Sequence, residues 1–337
     1  MTSPYEIDAE ERAASYRKDQ AVDDVLTAMN EALAGIEPTP PDDLPPVPHI
    51  FVFGVPRSGT TLCYQALAWG LDVGYVTSLM SRYWLAPFTG AMVSRSVLAE
   101  TRDDSFRSNY GRPTSPAGPH EFSYFWTHWL GLRRLDDFLD YSGRAGNADW
   151  PGLESAVKRI QLAFPGKPLL FKTTYAGQFV PDFAEHFPTS LFVQMRRDPV
   201  DTAVSILEAR RRIYGNVDTW WSTFPPEYAE IAGEPFAAQI AAQVMGVACA
   251  YERLTSQVPA ERVLDVDYDE LCASPTTVVE RVRERCERLF GTAPSLLNAL
   301  PDRFAVARRA HTGDEDAAVA DAVLRAQRQP HPPTPPA

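Results

Sequence analysis

The sequence predicts an α/β fold in which a mainly parallel sheet is flanked by helices on both faces, in three layers. Apolar stretches of five or six residues recur at 49–53, 168–172, 190–195 and 263–268, and helical patterns separate them. Strands that alternate with helices are typical of parallel sheets, because a crossover helix must return the chain to the same edge.

The segments on either side of this core differ from it in composition. Apolar residues recur at helical spacing over 6–34, and a proline-rich linker fills 37–48. That helix either packs on the domain or forms a homodimer contact. We therefore divide the chain into an acidic N-terminal helix and linker at 1–48, a domain at 49–290, and a C-terminal extension at 291–337 with a disordered proline-rich tail.

Periodicity and turn residues predict the remaining elements in order. A short strand is expected at 73–77, and the polar, turn-rich segment 101–119 is expected to be a mobile loop. Helices are expected at 80–101, 121–132, 151–163, 176–187, 199–214, 236–257 and 275–290.

A phosphate-binding loop follows the first strand. Gly54 and Gly59 have the spacing of a Walker A loop, and a helical pattern begins at Leu62. Such a P-loop-type turn directs backbone N–H groups and the positive end of a helix dipole at one anion. The lysine that an NTPase requires after the second glycine is replaced by Thr60, and a cation stands within the loop as Arg57. The loop is therefore suited to a phosphate ligand but not to ATP hydrolysis.

A second anion site is predicted where the strand at 190–195 ends. Arg196 and Arg197 follow this strand, and Asp198 is placed to cap a helix that begins at Pro199. Ser205 lies about 10 Å along that helix from its cap. A phosphate that contacts both Arg197 and Ser205 would lie beside the helix.

Four segments, in this order along 49–290, resemble the sulfotransferases that use 3′-phosphoadenosine 5′-phosphosulfate (PAPS). PRSGTT at 56–61 is similar to their 5′-phosphosulfate loop, and RRDPVDTAVS at 196–205 is similar to their 3′-phosphate motif. FKTT at 171–174 and VDYDELCASP at 266–275 resemble their catalytic-lysine segment and a later nucleotide contact. With Arg in the first loop, the chain resembles the lineage that contains the tyrosylprotein, Golgi carbohydrate and many bacterial sulfotransferases.

The resemblance implies transfer of a sulfuryl group from PAPS to a hydroxyl acceptor without a metal ion. Arg57 would neutralise the leaving 5′-phosphate, and Lys172 would reach the sulfonate unless it is a solvated lysine at a strand end. Residues 57–61 would cradle the 5′-phosphate group, and Arg197 rather than Arg196 would hold the 3′-phosphate. The full set of implied donor-binding residues is Arg57, Ser58, Gly59, Thr60, Thr61, Arg197, Ser205 and Tyr268, of which Tyr268 is alternatively a core residue.

The identity of the general base and the chemical class of the acceptor stay open. Much of the lineage carries a Glu shortly beyond the phosphate loop, but residues 74–84 contain no carboxylate. The nearest later candidates are His120 and Glu121, either of which could accept a hydroxyl proton or simply begin a helix. The aromatic run at 122–129 either walls an acceptor pocket or belongs to the core. Lipid, polyketide, aryl and glycosylated acceptors all remain candidates.

Composition limits the partners. The net charge is −12, and residues 1–48 hold eleven acids against three basic residues, so a nucleic-acid partner is not expected. No apolar run reaches the ~18 residues of a membrane span. The acidic first residues differ from a secretory signal, and we expect a cytoplasmic protein with reduced, mostly buried cysteines.

Two alternative functions stay open. A small-molecule kinase would need a magnesium-binding carboxylate, for which Asp265 or Asp267 is the available substitute. A non-catalytic nucleotide-binding scaffold would act through the acidic N-terminal helix. His311, which follows Arg308 and Arg309, either belongs to a loop that closes over the nucleotide or to a solvated basic turn.

Overall fold

The computed structural model describes residues 11–109, 111–308 and 313–328. Its main sheet has five parallel strands in the order β2-β5-β1-β6-β7, and β3 and β4 form a separate antiparallel pair. The strands are β1 His49–Gly54, β2 Gly74–Tyr75, β3 Ser108–Asn109, β4 Arg112–Pro113, β5 Leu169–Lys172, β6 Ser190–Arg196 and β7 Val263–Asp267.

Helices connect the strands of the main sheet and follow the last one. Short 3-10 helices lie at Ala14–Tyr16, Met80–Arg82 and Ala260–Arg262. The α-helices are α1 Gln20–Ala34, α2 Thr60–Gly70, α3 Pro87–Leu98, α4 Ser123–Trp129, α5 Leu135–Leu139, α6 Trp150–Ala163, α7 Thr174–Gln178, α8 Val180–His186, α9 Pro199–Tyr214, α10 Tyr228–Ile231, α11 Phe236–Thr255, α12 Tyr268–Ala273, α13 Pro275–Phe290 and α14 Asp314–Arg328.

The central strand β1 is buried on both faces. Ile50 and Val52 pack in one apolar cluster with residues of α2, α12 and α13, whereas Phe51 and Phe53 pack in a second cluster with residues of α4, α6, α8 and α11. Because successive side chains of a strand point to opposite faces, these two clusters are the two interfaces of a helix–sheet–helix sandwich. The predicted three-layer α/β fold is confirmed.

Two helices whose starts carry strong local signals have the same first and last residues as predicted. The predicted bounds 199–214 and 275–290 coincide with α9 and α13. Asp198 accepts a hydrogen bond from the backbone N–H of Asp201 at 2.9 Å, as the predicted cap requires. Proline is the first residue of both helices, where its missing N–H costs nothing.

Two predicted helices are wrong because each is interrupted. The helix expected at 80–101 is a 3-10 turn followed by α3, which begins at Pro87. The helix expected at 176–187 is divided into α7 and α8 at Phe179, and Pro181 lies in the first turn of α8. A proline favours the first turn of a helix and disrupts its interior.

Other predicted bounds shift by local causes. α2 begins at Thr60 rather than Leu62, and β2 covers only two of the five residues expected at 73–77. The helix expected at 121–132 shortens to α4, because Phe122 and Gly131 both adopt positive φ. The expected loop at 101–119 contains the β3–β4 pair, and its mobility stays a prediction.

The terminal segments also differ from expectation. α1 begins at Gln20, because the carboxylate of Asp19 caps it by accepting from the N–H groups of Ala21 and Val22; residues 6–10 of the expected helix lie outside the described ranges. α14, which the sequence analysis did not predict, packs on α9 and α11 through Val319 and Val323. The disordered tail expected at 328–337 overlaps α14 at Arg328, and its other residues lie outside the described ranges.

Candidate active site

The predicted site residues lie at or just after the ends of four neighbouring strands, along one edge of the sheet. β5, β1, β6 and β7 are adjacent and parallel, so their carboxyl ends lie side by side. Lys172 ends β5, Arg197 follows β6, Tyr268 follows β7, and the phosphate loop follows β1. Ligands of open α/β sheets bind at this edge. The fold therefore brings together residues that are far apart in the sequence.

The phosphate loop is held in a shape that its glycines permit. A Cβ at Gly54 would lie 2.6 Å from Ser58 Oγ, and a Cβ at Gly59 would lie 2.4 Å from Tyr268 Cδ2. Gly59 has φ 99°, and Arg57 has φ 72° although it is not glycine. Positive φ at a non-glycine residue stores strain and occurs often at ligand sites. α2 begins directly after the loop, so its first backbone N–H groups face an anion bound there.

The two predicted anion motifs contact each other. Arg57 Nε donates to Ser205 Oγ at 3.0 Å, and Arg197 Nη1 donates to the backbone oxygen of Arg57 at 3.0 Å. The Arg197 guanidinium lies 4.4 Å from the centre of the Tyr268 ring. Burial raises the pKa of the Tyr268 phenol, which keeps it neutral at physiological pH. Loop, helix α9 and Tyr268 thus form one continuous surface.

A backbone segment of the C-terminal extension borders this surface. Arg197 Nη2 donates to the oxygen of Ala307 at 2.5 Å, and the N–H of Ala307 donates to Tyr268 Oη at 3.2 Å. Arg308 pairs with Asp269 at 2.8 Å. Sequence reasoning missed Ala307 because its contacts are made by the backbone and carry no residue signature. Arg309 and His311 lie outside the described residues.

Arg196 and Arg197 have different environments although they are consecutive. Arg196 pairs with Glu252 at 2.6 Å and with Asp265 at 2.7 Å, on the side away from the phosphate loop. Arg197 instead contacts the phosphate loop, where its Nη1 donates to the backbone oxygen of Arg57. Because two carboxylates already neutralise Arg196, Arg197 is the arginine available to a bound anion.

Two buried polar atoms at this surface have no hydrogen-bond partner among the described residues. They are Ser58 Oγ and Arg197 Nε. A buried polar group without a partner costs free energy and calls for an explanation. Both atoms belong to residues that the resemblance assigns to phosphate binding.

Lys172 is buried and contacts the carboxylate candidate. It is 7% exposed, and its Nζ lies 2.9 Å from Glu121 Oε2. The alternative of a solvated lysine at the strand end is therefore wrong. Phe122, the residue after Glu121, has φ 57°, which turns the chain sharply between the loop and α4. Glu121 is in this way held beside the end of β5, and a carboxylate and an ammonium lie together at the sheet edge.

His120 is placed differently from its neighbour. Its backbone N–H donates to Val76 at 2.8 Å, and its ring Nδ1 accepts from the N–H of Phe122 at 3.0 Å. One ring nitrogen is thus engaged in holding the turn. Glu121, in contrast, contacts Lys172 directly, and both base candidates line the same cavity.

A large cavity opens beside Glu121. Its volume is about 860 Å³, and His120, Glu121, Thr174 and Tyr175 contribute to its wall. This volume lies within the range of pockets for drug-sized ligands. The aromatic run divides between the two roles left open for it: Tyr124 lines the cavity, whereas Phe122, Phe125 and Trp126 are buried in the core.

Three further properties bear on the site. Among the described residues, no group of three or more His, Cys, Asp or Glu side chains is arranged to hold a metal ion. None of the described helices has the length and apolar character needed to cross a bilayer. Three of the four cysteines, Cys63, Cys272 and Cys286, are buried free thiols, whereas Cys249 is partly exposed, and burial raises the pKa of Cys63 to about 12.

The chain is similar to several solved structures of bacterial sulfotransferases. Sulfotransferase STF9 from Mycobacterium avium is 14% identical, with 90% of this chain and 73% of that chain covered and a TM-score of 0.47. Sulfotransferase STF1 from Mycobacterium tuberculosis is 16% identical, with coverage of 88% and 75% and a TM-score of 0.46. The sulfotransferase domain of the Synechococcus olefin synthase is 17% identical, with coverage of 74% and 78% and a TM-score of 0.40.

Sequence comparison gives the stronger result. No curated protein matches the chain. The sulfotransferase family model, however, matches residues 48–290. That match covers well over half of the chain, spans the phosphate loop, Lys172, Arg197 and Tyr268, and has nearly the bounds predicted for the central domain. The chain belongs to the sulfotransferase family.

Proposed function

We propose that this sulfotransferase uses PAPS as its donor and transfers the sulfuryl group to a hydroxyl of a small molecule. The observation that carries the proposal is the Arg57–Ser205–Arg197 cluster at the carboxyl edge of the sheet. It combines a phosphate loop at a helix start with a second arginine–serine pair beside α9. A nucleotide with phosphates at both 3′ and 5′ positions meets both halves of this cluster.

The chemistry requires positioning and charge neutralisation. The acceptor oxygen forms a bond to sulfur while the bond from sulfur to the bridging phosphate oxygen breaks, and its electron pair stays on the phosphate. Arg57 neutralises the charge that appears on the leaving 5′-phosphate, and Lys172 neutralises the sulfonate oxygens. The acceptor proton passes to the carboxylate of Glu121, and 3′-phosphoadenosine 5′-phosphate (PAP) is released.

Glu121 and Lys172 suit these roles because they are adjacent. Their 2.9 Å contact lies between the sheet edge, where the donor loop is, and the cavity, where an acceptor fits. A base must be within hydrogen-bond reach of the hydroxyl that it deprotonates. A hydroxyl bound in the cavity can reach Glu121, which lines it.

The structure gives no support to the rival functions. Asp265 pairs with Arg196, and Asp267 caps α12 by accepting from the N–H groups of Asp269 and Glu270. Both carboxylates considered for magnesium are thus already engaged in structural contacts. The scaffold hypothesis needs a free N-terminal helix, but the N-terminal segment contributes to the wall of the cavity.

Titration calorimetry with PAP, adenosine 5′-phosphate and ATP tests the donor assignment. We expect PAP to bind at least about tenfold more tightly than either other nucleotide, because only PAP offers a 3′-phosphate to Arg197 and Ser205. Equal binding of PAP and adenosine 5′-phosphate would contradict the assignment. Tighter binding of ATP would contradict the donor class itself.

A further inference from the structure

The cavity beside Glu121 is closed partly by residues that lie outside the family-matched range. Residues 11–23, which we call the N-terminal arm, contribute Tyr16, Lys18 and Val22 to its wall. The matched range begins only at residue 48. The arm therefore supplies part of the cavity wall from outside the matched range.

The arm and the helix that continues it are fixed to the domain at two points. The N–H of Ala13 donates to Ile213 at 2.8 Å, and Tyr16 is buried against the same region of α9. Beyond the arm, the fully buried Asn30 donates to the backbone oxygen of Arg82 at 2.8 Å and accepts from the N–H of Leu85 at 2.8 Å. A buried amide that makes hydrogen bonds on both sides fixes the helix that continues the arm.

Between these anchors, the arm contacts the wall of the cavity itself. Tyr124 Oη donates to Asp23 Oδ2 at 3.1 Å, and Lys18 Nζ lies 4.2 Å from the centre of the Tyr124 ring. Tyr124 lies in α4, two residues from Phe122 and three from Glu121. The arm is therefore linked to the same short stretch of chain that carries the proposed base.

A second wall comes from the loop between α9 and α11. The fully buried Arg210 donates to Val217 at 3.1 Å, and Gln243 Nε2 donates to Trp221 at 2.8 Å and to Thr223 at 2.7 Å. Trp220 lies with its ring 5.0 Å from the Arg210 guanidinium. Buried polar groups thus fix the backbone that presents the tryptophans to the cavity.

The lining combines flat aromatic faces with hydroxyl and amide groups. The aromatic members include Trp84, Tyr124, Tyr175, Trp220, Trp221 and Phe224. The uncharged polar members include Ser78, Ser81, Ser123, Thr174, Gln178 and Thr223. Aromatic faces pack against rings, whereas hydroxyl and amide groups bond to hydroxyls of a ligand. The two sets together suit a molecule that has both features.

The charges of the lining argue against an anionic acceptor. Among the described residues of the wall, Glu11, Asp19, Asp23 and Glu121 stand against Arg12, Lys18 and Arg82. A site for a polyanion carries an excess of basic groups that complement the charge. Here acids are slightly in excess, so a carboxylate or sulfate on the acceptor would find no net attraction.

We propose that the N-terminal arm is part of the acceptor site, and that the acceptor is an uncharged molecule combining a flat ring system with several hydroxyl groups. An aryl glycoside has this chemistry. The inference rests on the proposed function, because it takes the cavity beside Glu121 as the place of the acceptor. It adds the class of acceptor and the segment that selects it.

Titration calorimetry with 4-nitrophenyl β-glucoside and 4-nitrophenyl β-glucuronide tests the class, because the two probes differ by one carboxylate. We expect the glucoside to bind at least about tenfold more tightly. Val22→Asp, at the cavity wall, should weaken glucoside binding by about tenfold or more, because it places a charge against the ligand. Val25→Asp is the matched control: Val25 is 68% exposed, lies beyond the arm on the same helix, and does not line the cavity.

Each outcome decides one part of the inference. Equal or tighter binding of the glucuronide, or binding of neither probe, would overturn the acceptor class. Unchanged glucoside binding by Val22→Asp, or an equal loss in Val25→Asp, would overturn the role of the arm. The stabilisation by PAP, measured in the same variants, should stay unchanged. If the sugar results are as expected but PAP does not bind, the proposed function fails while the cavity remains a site for neutral glycosides.

Discussion

Arg57 Nε donates a hydrogen bond of 3.0 Å to Ser205 Oγ, although 148 residues separate the two positions. This contact joins the loop assigned to the 5′-phosphosulfate with the helix assigned to the 3′-phosphate. Both halves of the proposed donor site are therefore assembled by the fold itself. Substitutions at either residue should weaken nucleotide binding more than acceptor binding.

Replacing Arg57 should remove a charge that acts in the transition state. Arg57→Ala should lower turnover by about 10²–10³, the range for the loss of one pre-organised donor. Arg57→Lys should keep part of the activity, because it restores the charge without the planar fork of donors. Steady-state rates with PAPS measure both. Neither Mg²⁺ nor EDTA should change them, and loss of activity on chelation would point to metal-dependent phosphoryl transfer.

Glu121 and His120 can be told apart by isosteric replacement. Glu121→Gln should reduce turnover by roughly 10²–10⁴, because an alcohol acceptor keeps its proton unless a base is placed to accept it. PAP binding and the fold should be retained. His120→Asn, which changes the adjacent residue, should have a much smaller effect. The reverse pattern in single-turnover rates would assign the base to the imidazole.

Lys172 should contribute to the chemical step and not to nucleotide affinity. Lys172→Ala should lower kcat by about 10²–10³ while PAP binds as before, since the ammonium neutralises oxygens of the transferred group. The matched control is Lys167→Ala, because Lys167 lies just before the same strand and pairs with Asp72 at 2.7 Å, away from the site. Equal losses of kcat in the two variants would contradict a specific role for Lys172.

The buried His49 should make the protein sensitive to mild acid. Desolvation lowers the pKa of His49 to about 4, below its ordinary value of 6.5, so the folded state resists a proton that the unfolded state accepts. Stability is unaffected above pH 6.5 and falls as the pH drops from 6.5 towards 4. Between pH 7.5 and 5.0, the wild type should lose about 2 kcal/mol more than His49→Gln in urea unfolding. Equal losses would show that His49 is protonated in the folded state.

The sequence allowed prediction where local chemistry determines the structure. Asp198 followed by Pro199 marks the start of α9, and the glycines of the phosphate loop mark the end of β1. The same signals located Arg57, Lys172 and Arg197 at strand ends. The interrupted helices at Pro87 and Phe179 show where periodicity alone extended an element too far.

What sequence reasoning missed depends on contacts between distant segments. The Lys172–Glu121 pair joins residues 51 positions apart, and the contact of Ala307 with Arg197 uses only backbone atoms. The N-terminal arm lines the cavity, and Ala13 in the arm and Asn30 beyond it bind to separate parts of the domain. Neither spacing nor composition reports such contacts, since they depend on how the elements pack.

The most direct test of the account compares two consecutive arginines. Arg197 faces the phosphate loop, whereas Arg196 pairs with Glu252 and Asp265.

The quantity to measure is the difference between the stabilisation by PAP and that by adenosine 5′-phosphate, from thermal unfolding of the wild type, Arg197→Ala and Arg196→Ala. Each difference is taken within one variant, so any general loss of stability cancels. At a concentration of PAP about 100 times its Kd, the wild type should gain about 2.7 kcal/mol. We expect Arg196→Ala to keep the difference between the nucleotides and Arg197→Ala to abolish it; a difference that survives in Arg197→Ala would contradict the assignment of the 3′-phosphate site.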